Sequence, residues 1–186
     1  MPTPIGHSLA GYAAAKLTRV RVTRDDRVLF LWAGFLGVLP DLVGLGLSVV
    51  AHVPVHGFSH SLVALVLVSV LLAGGATRRG FRFWPILLLV AAAYGSHLFA
   101  DLLRPESTAQ AGEQLLWPLP VGYGLVHNIL PHVPDRAGAG GTVAWLRMVG
   151  ELGVREILVL GPVAFAAHFI PPRIPARTST STAVSR

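Results

Sequence analysis

The 186-residue chain has no cysteine, only 13% charged residues, and none of the short motifs that announce nucleotide or serine chemistry. Each absence removes a class of function. Without thiols there are no disulfides, zinc–thiolate sites or cysteine nucleophiles, so a metal has to be held by imidazole and carboxylate. The redox compartment stays open. G-x-S-x-G, H-E-x-x-H, Walker and G-x-G-x-x-G patterns are all missing, which argues against serine hydrolases, zincin proteases and the nucleotide enzymes built on those loops. A cleavable leader is not expected either, since the start MPTPIGHSLAGYAAAKL lacks a basic n-region.

What is present is apolar. Hydrophobic residues make up 53% of the chain and mean hydropathy is +0.62, with the apolar residues in blocks rather than on one helical face. Residues 28–51 carry one charge, Asp41 after Pro40; residues 61–77 carry none; residues 83–103 again carry one, Asp101. Residues 157–170 form a shorter run closed by Pro171 and Pro172, and residues 4–18 are barely long enough for a span of about 17–20 residues. The expected fold is all-α, a polytopic membrane bundle of about four or five transmembrane helices, with residues 1–172 as one membrane-embedded domain. Between 104 and 156 the chain turns polar and rich in Gly and Pro, which predicts a long loop with an interfacial helix near Trp145–Leu152. The tail from Arg173 to Arg186 is expected to be disordered and basic.

The net charge of +6 does not point to nucleic acid, because the cations sit in short clusters between the apolar blocks. Lys16, Arg19, Arg21, Arg24 and Arg27 precede the second block, Arg78, Arg79 and Arg82 separate the third from the fourth, and Arg173 and Arg177 follow the last. All three clusters should face the cytoplasm. Measured from those ends at about 1.5 Å per residue, His7 lies about 17 Å up, Asp41 about 20 Å, His97 about 21 Å, and His60 and Asp101 about 27 Å. Residues scattered in sequence therefore share one layer in the outer half of the membrane, where ionisable groups are costly and mark function.

His97 and Asp101 are spaced i,i+4 and face one site, serving either a metal or a His–Asp hydrogen bond that packs the bundle. His60 lies at the mouth of a span, where Ser59 or Ser61 can cap the helix, and reads either as a ligand or as an interfacial histidine. Asp41 is an acid inside an apolar run, and a purely structural role fits it poorly because its burial costs several kcal/mol without a metal or base. His7 is a capping histidine or a further ligand. His56 is a second ligand, a phosphate contact or a loop residue; Glu113 and Trp117 suit a loop re-entering the interface; His52, His127, His132 and His168 read as interfacial.

GHSLAG (6–11), LPDL (39–42), HGFSHSL (56–62), HLFAD (97–101) and GEQLLWP (112–118), in this order, resemble the YdjM family, described as LexA-binding, inner-membrane-associated metal-dependent hydrolases. The resemblance runs over residues 5 to about 120. It implies a helical inner-membrane protein, multi-pass, with metal-site roles for His7, Asp41, His60, His97 and Asp101. The order His, Asp, His, H-x-x-x-D is more remotely similar to zinc-dependent phospholipase C and P1-type nucleases, which implies a divalent metal, zinc first with manganese or iron as alternatives, and a lipid or lipid-linked phosphoester as substrate. In the implied division of roles His60, His97 and Asp101 hold one metal, and His7 with a bridging Asp101 helps hold a second. Asp41 is catalytic as general base, or an added ligand.

Two departures limit the carry-over. The family's H-R-G-x-T-H reads Val55-His56-Gly57-Phe58-Ser59-His60, without the leading His or the Arg, so an arginine contact to phosphate is not implied. Residues 104–111 differ from the Thr-rich loop of the family, and no third-metal ligands stand out, leaving a mono- or dinuclear site. The LexA-binding description supplies a competing expectation, a membrane regulator that needs no metal; a haem or ion carrier is a further one, against which the acids beside the histidines speak.

Overall fold

In a computed structural model, residues 3–23, 25–51, 57–102, 115–119 and 141–177 are described. Five α-helices dominate them: α1 (Pro4–Leu17), α2 (Asp26–Ala51), α3 (Leu62–Thr77), α4 (Phe83–Leu102) and α5 (Thr142–His168). The all-α class is as expected. A 3-10 turn, Phe58–His60, leads into α3, and two short strands, β1 (Val20–Arg21) and β2 (Ile174–Pro175), pair in parallel.

Local chemistry sets the helix ends. Pro4 opens α1, where its missing N–H costs nothing, and the Thr18 hydroxyl closes it on the Ala15 carbonyl at 2.6 Å. Asp26 occupies the first turn of α2, favourably placed for the helix dipole. Pro40 lies inside α2 and is fully buried; it removes the N–H that would bond the Leu36 carbonyl, just before Asp41.

α1 lies at the centre of the bundle, against α2, α4 and α5, while α3 packs on α4. The α1–α2 crossing is made by small residues. A Cβ added at Gly37 would stand 2.3 Å from the His7 carbonyl oxygen, and one at Gly11 2.5 Å from the Ala33 carbonyl. Ala33 and Gly37, four apart, are therefore the small-xxx-small pair that lets the two backbones touch. Tyr12, Ala15, Leu36, Leu89, Val90 and Ala93 fill the core below this crossing.

Among the described residues two helices, α2 and α4, are long and apolar enough to cross a membrane; α3 is apolar but has 16 residues. The expected four or five spans thus reduce to two by this measure. α1, with 14 residues, extends about 21 Å against a hydrocarbon thickness of about 30 Å. The surface is nonetheless apolar around the bundle, with Trp32 65%, Val50 83%, Leu71 70% and Leu158 69% exposed.

Two expectations are corrected. The interfacial helix near Trp145–Leu152 and the apolar run 157–170 are one helix, α5, of 27 residues, because nothing from 142 to 161 stops a helix more strongly than Gly150 and Gly153, and Pro162 is accommodated inside. The start of the expected disordered tail is ordered: the Arg19 carbonyl accepts from Arg173 N at 2.7 Å and Ile174 N at 2.9 Å, the Arg21 carbonyl accepts from Ala176 N, and Arg82 N donates to Ala176 O at 2.6 Å. Arg177 closes the clasp by stacking on Phe81 at 4.8 Å. Arg19, with φ 57°, sits in the left-handed region, and that turn aims its carbonyl at both donors.

Candidate metal centre

Three helices and one turn deliver the site. His7 comes from the buried face of α1, Asp41 from α2 beyond Pro40, His60 from the 3-10 turn, and His97 and Asp101 from successive turns of α4. The structure brings all five side chains together in one cluster. His7, His60 and His97 are fully buried and Asp101 is 1% exposed; the Asp41 side chain keeps 21% of its surface open.

His97 Nε2 lies 3.1 Å from Asp101 Oδ2, 3.6 Å from Asp41 Oδ1 and 3.1 Å from His60 Nε2. His60 Nε2 lies 3.3 Å from Asp41 Oδ1 and 3.7 Å from Asp101 Oδ2, and His7 Nε2 3.8 Å from Asp101 Oδ1 and 3.9 Å from Asp41 Oδ2. The His7 and His97 rings stack with centroids 3.8 Å apart.

The proton inventory makes this arrangement unusual. His97 Nδ1 is 2.8 Å from the Gly37 carbonyl, which only accepts, so Nδ1 carries the proton and Nε2 of a neutral ring presents a lone pair. That lone pair faces Asp101 Oδ2 and His60 Nε2, each at 3.1 Å. Both Asp101 oxygens, Asp41 Oδ1 and both His7 nitrogens are buried without a hydrogen-bond partner among the described residues. A buried carboxylate left so costs several kcal/mol unless a cation or an extra proton compensates.

The spacing suits a cation. Four ligands at about 2.0–2.1 Å around a tetrahedral ion stand about 3.4 Å apart, the middle of the 3.1–3.9 Å range between these donor atoms. His7, His97 and Asp101 form one group able to hold a metal, and Asp41, His60 and His97 another. The imidazole and carboxylate donors are those a zinc-class ion takes in a cysteine-free chain.

Several supporting residues were not singled out from sequence. Tyr94 is fully buried and donates its hydroxyl to the Ser59 carbonyl at 2.5 Å, while the Ser59 hydroxyl meets His60 Nδ1 at 3.0 Å. Of the two serines considered as caps, Ser61 is the one that accepts from Ala64 N and caps α3. Tyr94 precedes His97 by one helical turn, a spacing that hints at a shared face. Glu156 had no such signal: from α5 it accepts from Thr3 N at 2.7 Å, Gly6 N at 3.1 Å and the Thr3 hydroxyl, capping the helix that carries His7.

Trp117 stacks edge-on against Phe58, and the Leu115 carbonyl accepts from Leu62 N at 2.9 Å, placing the 115–119 turn beside the His60 segment. His168 is 48% exposed and belongs elsewhere, with Nδ1 2.9 Å from the Tyr12 hydroxyl. His52, His56, Glu113, His127 and His132 lie outside the described residues.

The family model described as YdjM inner membrane protein matches residues 1–167. No curated protein matches the chain, and no solved structure does. The match takes in α1 to α4 with all five converging residues and nearly the whole of α5, and the chain belongs to the YdjM family of inner membrane proteins.

Proposed function

We propose that this chain is a metal-dependent hydrolase embedded in the inner membrane, acting on a lipid or lipid-linked phosphoester. One observation carries the reading: three imidazoles and two carboxylates converge in a buried space, where both Asp101 oxygens, Asp41 Oδ1 and both His7 nitrogens have no hydrogen-bond partner among the described residues. His60, His97 and Asp101 would hold one divalent metal, zinc first with manganese or iron as alternatives, and His7 with Asp101 would help hold a second. A bound ion of this class supplies a Lewis acid and a water acidified toward about pH 7. Asp41, the only one of the five with open surface, faces the side from which water and substrate arrive and is assigned as general base or further ligand. Gly37 holds the His97 ring in the ligand tautomer, and the Ser59 hydroxyl orients His60.

A lipid-like substrate is supported by the surroundings. Leu42, Leu45, Leu62 and Trp117 are exposed around the same end of the bundle, so a phosphoester on an apolar anchor would reach Asp41 from the bilayer interface. In this reading α2 and α4 cross the membrane with α3 and α5 beside them, multi-pass, and the arginine-rich end is cytoplasmic. Single cysteines at Val143 and Arg79 should react from opposite sides of the membrane.

The decisive experiment is metal analysis of purified protein with hydrolysis of a phospholipid or generic phosphodiester. The expected result is one or two zinc-class ions per chain. Asp41→Asn should retain most of the metal and lose hydrolysis by about 10²-fold or more. A preparation that holds no metal and cannot be reconstituted would replace this reading with the regulator.

A further inference from the structure

At the opposite end of the bundle from the His–Asp cluster, α1, α2 and α5 leave a crevice of about 480 Å³ between them, within the usual range for a small-molecule site. Its depth is apolar, walled by Leu9, Phe30, Leu31, Ala164 and Phe165, and it is polar at one end only, where Asp26, Arg27 and His168 form the mouth. The walls open sideways, with Leu31 68% and Phe165 67% exposed, on the flank of α2, one of the two helices long enough to span a membrane.

The charge at the mouth has a sign. Asp26 is taken by Lys16 Nζ at 3.1 Å, and His168 is occupied by the Tyr12 hydroxyl, which leaves the exposed Arg27 guanidinium as the cation of the mouth. The clasp adds to it: pairing of β1 with β2 holds exposed Arg19, Arg21 and Arg173 on this same end of the bundle, and Arg19 and Arg21 line a small polar pocket that shares Asp26 with the crevice.

We propose that this crevice binds one anionic phospholipid, an acyl chain between α1, α2 and α5 and the phosphate at Arg27, within the field of the clasp arginines. An apolar slot with cationic character confined to its interfacial end matches an amphiphile with a negative headgroup, and it fits neither a soluble metabolite nor a free phosphate. The site is separate from the His–Asp cluster and holds whether or not that cluster hydrolyses anything.

Gly161 lines the crevice, and a Cβ there meets only Ile157 Cγ2 at 3.8 Å, so the backbone has room for a side chain and Gly161→Leu places its isobutyl group in the slot. The test is native mass spectrometry of the full chain in detergent, titrated with dioleoyl-phosphatidylglycerol or dioleoyl-phosphatidylcholine. Wild type should take up one phosphatidylglycerol at least tenfold more tightly than phosphatidylcholine. Gly161→Leu should weaken both lipids at least tenfold, whereas Gly150→Leu, on the same helix in open space, should bind as wild type. Arg27→Gln should erase the preference while phosphatidylcholine still binds. Unchanged phosphatidylglycerol binding in Gly161→Leu, or an unchanged preference in Arg27→Gln, would overturn the assignment. So would a wild-type dimer that Gly161→Leu breaks and phosphatidylglycerol does not, because a second copy would then fill the crevice.

Discussion

Two His–Asp clusters sit at opposite ends of α1, and they differ in everything except residue type. At one end His7, His60 and His97 are fully buried around Asp41 and Asp101, and the His7 nitrogens, Asp41 Oδ1 and both Asp101 oxygens have no hydrogen-bond partner among the described residues. At the other, His168 and Asp26 are 48% and 46% exposed, 3.8 Å apart, and each has an ordinary partner, the Tyr12 hydroxyl and Lys16 Nζ. Buried acceptors without partners make a candidate ligand site; half-exposed groups with partners make an ordinary ion pair. Residue identity alone separates neither from the other.

Four substitutions sharpen that contrast. The largest effect is expected from Asp101→Asn, which keeps size and packing but removes the charge offsetting a cation: metal content should collapse and phosphodiester hydrolysis should fall by about 10²-fold or more. Elemental analysis of folded protein measures it. Metal and turnover at wild-type levels would return the buried cluster to the same category as the exposed one.

Gly37→Ala comes next. Its methyl would stand 2.3 Å from the His7 carbonyl, so α1 must move away from α2 just where it presents His7 and where the Gly37 carbonyl holds His97. Thermal unfolding should show a loss of about 1–3 kcal/mol, and metal affinity should fall by about 10–100-fold. Unaltered affinity with the stability loss would show that the crossing is structural only.

Glu156→Gln acts from outside the cluster. An amide group replaces one of the carboxylate oxygens that Thr3 N, Gly6 N and the Thr3 hydroxyl now share, and stability should fall by about 1–3 kcal/mol in a denaturant titration. Loosening the start of α1 should also weaken metal binding, and Glu156→Gln with normal metal affinity would confine its role to capping.

Asp26→Asn, in the exposed cluster, is expected to do least. Asp26 is half exposed but Lys16 keeps only 6% of its side chain open; Asn still offers Oδ1 to Lys16 Nζ, so the loss should be about 1 kcal/mol, with a small fall in Tm and unchanged metal content. A loss of metal in Asp26→Asn would erase the distinction between the two ends.

Much of the candidate site was legible in the chain because helices convert spacing into geometry. The i,i+4 step from His97 to Asp101 and the lone acid after Pro40 are local facts, and counting residues from each basic cluster placed five side chains within about 10 Å of one another in height. The helical class and the spans over α2 and α4 followed from apolar blocks alone, whereas residues 61–77, read as an equally strong span, form a helix of 16 residues. α5 was read as two pieces because its first half carries Arg147, Glu151, Arg155 and Glu156, which lower hydropathy without stopping a helix.

Composition and spacing thus determined the class, the basic end and the ligand candidates, since each depends on residues close in sequence or on heights along straight helices. Only the tertiary structure decided which of those candidates come together and which of their atoms have no hydrogen-bond partner among the described residues, because that depends on what comes from other elements. The Gly37 carbonyl reaches His97 across 60 positions of sequence and Glu156 reaches Thr3 across 153, and β2 meets β1 from the far end of the chain. No local pattern encodes such partners; packing of small residues at the α1–α2 crossing brings the first of them into contact, and burial against α5 and the clasp brings the others.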